Sequence, residues 1–225
     1  MLVCSWQASC TNSPEDSITS QASEKEHRAD EQSSKRFRQD FQSRVDPHLS
    51  DLELEDIFLH WIRTDKDGCM DWIDSQPHSS RLTTRYARIL LRSLPENDHA
   101  ERSDWAARFP ENVTLMTEAT NTWVDAAPAS AFDWLIELGD GKGVMQSIEL
   151  ATRRWTRNDP ESASRYLLSL PDGTKRDTAI LALSAVIASE DMEAAQIWAK
   201  TISDPSTRIR IVNVLGALSS DLAQP

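Results

Sequence analysis

The chain has 225 residues, of which 39% are hydrophobic and 27% charged, enough apolar content to bury a core without covalent staples. A formal net charge of -12 and an isoelectric point near 4.8 argue against a protein whose task is to neutralise phosphates, so DNA and RNA are not expected partners. The cysteines Cys4, Cys10 and Cys69 show no CxxC pairing, and the histidines are scattered without metal-ligand spacing, so neither a disulfide framework, a metal site nor any cofactor is expected.

Only six glycines, an abundance of Ala, Leu, Glu, Arg and Gln, and no sustained apolar/polar alternation predict an all-α fold. No apolar stretch approaches the roughly 20 residues needed to span a bilayer. At the N-terminus, Ala8-Ser9-Cys10 loosely resembles the processing site of a bacterial lipoprotein, which makes Cys10 a candidate lipid anchor at the cell envelope. The apolar part before it is short and no basic residue precedes it. Residues 11–36 are rich in Ser, Glu, Gln and charge, with Ile18 the only large aliphatic residue, and read as a tether unable to offset its ordering entropy. Phe37, Phe41 and Val45 could stripe a short helix before Asp46-Pro47 interrupts it. Residues 1–48 therefore read as a disordered arm. Ser50-Asp51-Leu52-Glu53 matches a capping box, and the folded part is expected to run over 49–225.

Within that part a large apolar or aromatic residue is followed eleven positions later by an aromatic one: Trp61/Trp72, Leu94/Trp105, Trp123/Trp134, Trp155/Tyr166 and Ile187/Trp198. Successive starts are separated by 33, 29, 32 and 32 positions, a register of about 32. First helices carry stripes such as Leu54/Ile57/Phe58/Trp61, Met116/Ala119/Trp123, Val144/Ile148/Ala151/Trp155 and Ala179/Leu183/Val186. Shorter second helices carry Cys69/Trp72/Ile73, Trp105/Ala106/Phe109, Ala131/Trp134/Leu135/Leu138, Ala163/Tyr166/Leu167/Leu170 and Ala195/Trp198/Ala199/Ile202. Each ends at a breaker: Pro77, Pro110, Gly139, Pro171-Asp172-Gly173 or Asp204-Pro205. Asn158-Asp159-Pro160 pairs a capping carboxylate with a proline suited to the first helical position, and Asp204-Pro205 repeats that logic. Ile211, Val214, Leu215 and Leu218 stripe a final helix that has no second partner in the sequence.

Trp155 to Tyr166 (WTRNDPESASRY) resembles the unit of bacterial tetratricopeptide-like helical-hairpin repeat proteins, over residues 49–221, although the Leu-Gly and Tyr of the full tetratricopeptide pattern are missing. The resemblance implies a right-handed α-α superhelix, or solenoid, of about five helical hairpins plus a terminal helix, with a concave protein-binding face and no catalytic residue to transfer.

Most tryptophans fall on the periodic faces and are expected in the core. Asp65-Lys66-Asp67-Gly68 has the start of a calcium loop without its far acidic ligand, and reads as a capping turn. Gly139-Asp140-Gly141-Lys142-Gly143 lacks the strand and Lys-Ser/Thr ending of a phosphate cradle, and reads as a turn. Asp71/Asp74 and Asp133/Glu137 share helix faces, as an acid/base couple would, but an acidic helical protein produces such pairs by default. Arg81, Arg85, Arg88 and Arg92 recur at i, i+4, i+7 and i+11, a basic stripe that requires acidic neighbours within the fold or on a partner. Arg153, Arg154 and Arg157 form a second cluster. The reading that follows is a non-enzymatic protein-protein interaction scaffold with the Arg81/Arg85/Arg88/Arg92 stripe as candidate partner-binding surface, possible partners being acidic. The alternatives are a helical carbohydrate-active or other hydrolytic enzyme using surface carboxylates, and a lipid-anchored assembly factor of the envelope.

Overall fold

The computed structural model describes residues 51–222, Ser79 excepted, together with Gln32, Lys35, Arg36 and Gln39. Those four upstream residues are helical and exposed. Cys10, the Phe37/Phe41/Val45 stripe and the Ser50 end of the capping box lie outside the described residues. Among the described residues there are eleven helices and no strand, so the fold is all-α. None of these helices is long and apolar enough to cross a membrane.

Long and short helices alternate. The longer set comprises α1 (Asp51–Thr64), α3 (Arg81–Ser93), α5 (Val113–Ala126), α7 (Lys142–Asn158), α9 (Thr174–Ile187) and α11 (Pro205–Leu222). The shorter set comprises α2 (Lys66–Asp74), α4 (His99–Ala107), α6 (Pro128–Glu137), α8 (Pro160–Ser169) and α10 (Met192–Ala199). The chain divides into two compact units, Met1–Trp72 and Ile73–Pro225, the division falling inside α2.

In the first unit, Phe58, Trp61, Cys69 and Trp72 are buried. Phe58 meets Trp61 edge-on with ring centroids 6.2 Å apart, and Trp61 lies 5.5 Å from Trp72. In the second unit α5 packs on α7 and α7 on α9, while each shorter helix packs on the longer one before it. The stripes meet there: Met116, Ala119, Val144, Ile148, Ala151, Trp155, Ala179 and Leu183 are all buried. A core tryptophan such as Trp105, with no exposed surface and its Nε1 donating to the Ala87 carbonyl at 2.9 Å, would cost ~3–5 kcal/mol if cut to alanine.

The entry into the shorter helices follows one design. Asp65, Asp98, Asp159 and Asp191 each accept a hydrogen bond from the amide three residues on, at Gly68, Glu101, Ser162 and Ala194, between 2.8 and 3.0 Å. Each satisfies one of the amide donors that a helix start leaves without an intrahelical partner. The amides of Asp65, Asp159 and Asp191 in turn donate to the carbonyls of Trp61, Trp155 and Ile187, all at 2.8 Å. Position 127 completes the series in register, and its amide donates to the Trp123 carbonyl at the same 2.8 Å, yet it is alanine and α6 has no side-chain cap. Pro128 opens α6 as Pro160 opens α8. At Asp98 the intervening Pro95 shifts the bond, and the amide donates to the Pro95 carbonyl at 3.1 Å.

Not every expected core position is fully covered. Trp123, Trp134, Tyr166 and Trp198 are half-buried. Phe132, which the periodicity of α6 did not single out, is fully buried, 5.5 Å from Trp155 and 5.7 Å from Tyr166. In α11 the buried contact is Leu215, which closes a cluster with Ala195 and Ala199 of α10, while Val214 and Leu218 remain exposed.

Candidate functional site

Two arginines of the α3 stripe meet their counter-charge on α5. Arg88 Nε donates to Glu118 Oε2 at 2.6 Å and Arg92 Nε to Glu118 Oε1 at 2.5 Å, so one carboxylate of α5 clamps both. Burial alone would raise the Glu118 pKa, but the hydrogen bonds from Arg92 and Arg88 outweigh it and hold the group below the usual glutamate range. Arg85 is half-buried and Arg81 exposed. The second cluster is similarly divided. Arg153 donates through Nε and Nη2 to Glu149 Oε1 at 3.1 and 3.0 Å, and Arg154 grips Asp125 of α5 through both carboxylate oxygens. Arg157, exposed, makes no ion pair or hydrogen bond among the described residues.

The carboxylates singled out as acid/base pairs are split in the same way. Asp74 binds Arg108, the residue that follows α4, and Asp133 accepts from the Tyr166 hydroxyl of α8 at 2.6 Å. Burial, reinforced by that bond, raises the Tyr166 pKa well above the ordinary phenol range. Asp65 is spent on capping α2, and among the described residues no group of three or more His, Cys, Asp or Glu side chains could hold a metal ion. Cys69 is buried, and that burial, with the Asp65 carboxylate adding to it, pushes its thiol far above the usual range, which makes it a poor nucleophile.

The glycine-rich turn before α7 also has its donors filled. The Lys142 amide donates to Glu111 Oε2 at 3.0 Å, and the amides of Gly143 and Val144 donate to the Pro110 carbonyl at 2.8 and 3.3 Å. A Cβ at Gly141 or Gly143 would stand 2.5 or 2.7 Å from the Pro110 oxygen, so these glycines exist for backbone approach and not for a phosphate.

Three buried charges escaped sequence reasoning. Arg102 Nη1 donates to the Leu91 and Leu94 carbonyls at 2.8 and 3.3 Å, closing the end of α3. Arg176 reaches the Thr201 carbonyl at 3.1 Å and Asp172 at 2.8 Å. Asp177 accepts from the Ser203 amide and hydroxyl and from the Asp204 amide, at 2.7, 2.7 and 2.9 Å, tying α9 to the turn before α11. No local pattern announces such long-range bonds.

One cavity has the exposed Arg157 on its wall. It measures about 320 Å³ and lies at the C-terminal ends of α7 and α9, lined by Arg153, Thr156, Arg157, Pro160, Ala185, Val186, Ile187, Ser189 and Glu190. A second, of about 240 Å³, lies at the start of α9, where Lys175 Nζ is already held by the Ile136 carbonyl at 2.7 Å and by that of Leu138. Compared with known proteins, the chain matches no family model, no curated sequence and no solved structure.

Proposed function

We propose that the chain is a non-enzymatic protein-binding scaffold in which α1/α2, α3/α4, α5/α6, α7/α8 and α9/α10 are five helical hairpins and α11 is a terminal helix, an α-solenoid of the tetratricopeptide-like kind. The observation that carries this reading is the recurrent junction between long and short helices, spaced at the sequence register of about 32 residues. Supporting it, bridges reach from one pair to the next: Arg88 and Arg92 to Glu118, Arg154 to Asp125, Tyr166 to Asp133. Units joined to their neighbours in this way build an extended surface, which suits recognition of a protein chain.

The Arg81/Arg85/Arg88/Arg92 stripe of α3 is the candidate surface for a partner's carboxylates, with Arg88 and Arg92 also serving the α3–α5 contact. The test is reconstitution of a stoichiometric complex between the full chain and a protein captured from its native extract. The doubly substituted Arg81→Glu, Arg85→Glu chain should lose that complex at unchanged helicity. A complex lost only when Arg88 and Arg92 are also reversed would point instead to damage at Glu118, and the absence of any stoichiometric partner would overturn the scaffold reading.

A further inference from the structure

We infer that the stripe on α3 receives an acidic helix of the partner, and that Glu118 is the positioning residue that holds the guanidiniums of Arg88 and Arg92 ready for two of its carboxylates. This rests on the scaffold reading and names the partner chemistry of that surface.

The α3–α5 bridge is open where the α5–α7 bridge is closed. Arg154 spends Nε and Nη2 together on the two oxygens of Asp125, so the fork that suits a carboxylate is already filled. Arg88 and Arg92 instead each give Nε alone to one oxygen of Glu118, and make no other hydrogen bond among the described residues. The Nη1 and Nη2 groups of both are left for solvent or a ligand, on side chains 41% and 57% exposed against 22% for Glu118. A long surface arginine loses rotamer freedom when it engages a partner. Sharing one carboxylate removes part of that loss before the partner arrives, which is preorganisation.

Charge and spacing set the occupant. Two guanidiniums and one carboxylate leave the cluster with an excess of positive charge, to which the exposed Arg81 of the same stripe adds. A ligand there sits beside Glu118, so repulsion from that carboxylate weighs twice as heavily on a phosphate dianion as on a single carboxylate. Along α3, Arg81, Arg88 and Arg92 stand about 10.5 and 6 Å apart at the helical rise. Carboxylates at i, i+4, i+7 and i+11 of a second helix repeat those intervals in either direction, whereas same-side residues of an extended chain recur at about 6.8 Å and fall out of step.

The probe is a capped alanine-based peptide with glutamates at i, i+4, i+7 and i+11, titrated into the isotopically labelled full chain beside its glutamine analogue and inorganic phosphate at matched ionic strength. Saturable NMR shifts should appear at the Nε–H signals of Arg88 and Arg92, and the glutamine analogue should bind at least about tenfold more weakly. The doubly substituted Arg88→Lys, Arg92→Lys chain keeps both charges without the forks, so it should weaken the peptide by a similar factor at unchanged helicity. Glu118→Gln, checked by its melting temperature, separates positioning from charge. It makes the surface more positive, so a patch acting by charge alone would bind the peptide more tightly, whereas loss of the shared carboxylate should weaken binding about two- to fivefold. Tighter binding by Glu118→Gln, undiminished binding by the double lysine chain, equal response to the glutamine analogue, or tighter binding of phosphate than of the peptide would overturn the assignment. If the peptide gives no shift while the stoichiometric protein complex still depends on Arg81 and Arg85, the acidic-helix assignment falls and the scaffold reading stands. If no stoichiometric complex forms with the wild-type chain, the scaffold reading falls on its own.

Discussion

At the scale of single residues, Ala127 is where the recurrent cap is missing. Its backbone angles, φ -152° and ψ 74°, are close to those of the capping Asp159, at -152° and 84°, so the conformation needed for a cap is already paid for. Ala127→Asp should therefore stabilise the chain by about 1 kcal/mol in chemical denaturation, with the Ser130 amide as the new donor. No gain would mean that Pro128 already fixes the start of α6. Glu118 allows a sharper test, because its carboxyl is held below the normal value of 4.5. A lowered folded-state value means the group stabilises the fold above the unfolded value, and that contribution disappears as pH falls through the folded one. Glu118→Gln should thus cost up to about 1 kcal/mol at pH 7, the arginines being partly exposed, and the two proteins should converge as pH drops below 4.5. A difference that persists unchanged in acid would show that the loss is one of packing.

At the scale of elements, the turn before α7 and the last helix make opposite demands. Gly143→Ala places a methyl group against Pro110 O, Met116 Cγ and the Asn112 carbonyl carbon, at 2.7, 2.8 and 2.9 Å, two of them backbone atoms that yield little. A loss of ~1–3 kcal/mol in the unfolding free energy is expected. An alanine tolerated there would show that the loop carrying Pro110 moves aside. Leu215→Ala, by contrast, empties the α10–α11 contact and should cost ~2–5 kcal/mol, sensed mainly by α10 and α11. The sequence anticipated the alternation of long and short helices and the caps at Asp159 and Asp204, because Asp-Pro junctions and apolar spacing are local signals. It did not anticipate Phe132 in the core, because the i, i+3, i+4 pattern of Ala131, Trp134 and Leu135 already described a complete face. Nor did it resolve which of Val214 and Leu215 is buried, since that depends on α10 alone.

At the scale of the whole molecule, stability is expected to vary along the chain. Within the second unit α7 packs against α5, α6, α8 and α9, whereas α11 rests chiefly on α10. Native-state hydrogen exchange should be slowest in α7 and α9 and fastest in α11, and uniform protection would mean that the unit opens only globally. The fold class was legible because helical periodicity recurs throughout residues 49–221 and glycine is scarce. The cavity was not, because Thr156 and Arg157 on α7 meet Ser189 and Glu190 beyond α9 only after folding, and a threonine followed by an arginine carries no signal of its own. The arginine stripe was legible as a pattern, while its clamp depended on Glu118, 26 residues from Arg92.

The aromatic pairs have an optical consequence. Trp61 and Trp72 lie 5.5 Å apart, Trp123 and Trp134 5.8 Å, and Trp155 and Tyr166 5.3 Å, each pair tilted and each joining a long helix to the short one after it. Chromophores that close and skewed share their electronic excitation, so each tryptophan pair should produce an exciton couplet in the far-ultraviolet circular dichroism, superimposed on the helical signal. Replacing Trp72 or Trp134 with phenylalanine would silence one couplet at a time, giving the chain built-in spectral labels that report the melting of separate segments without any added dye.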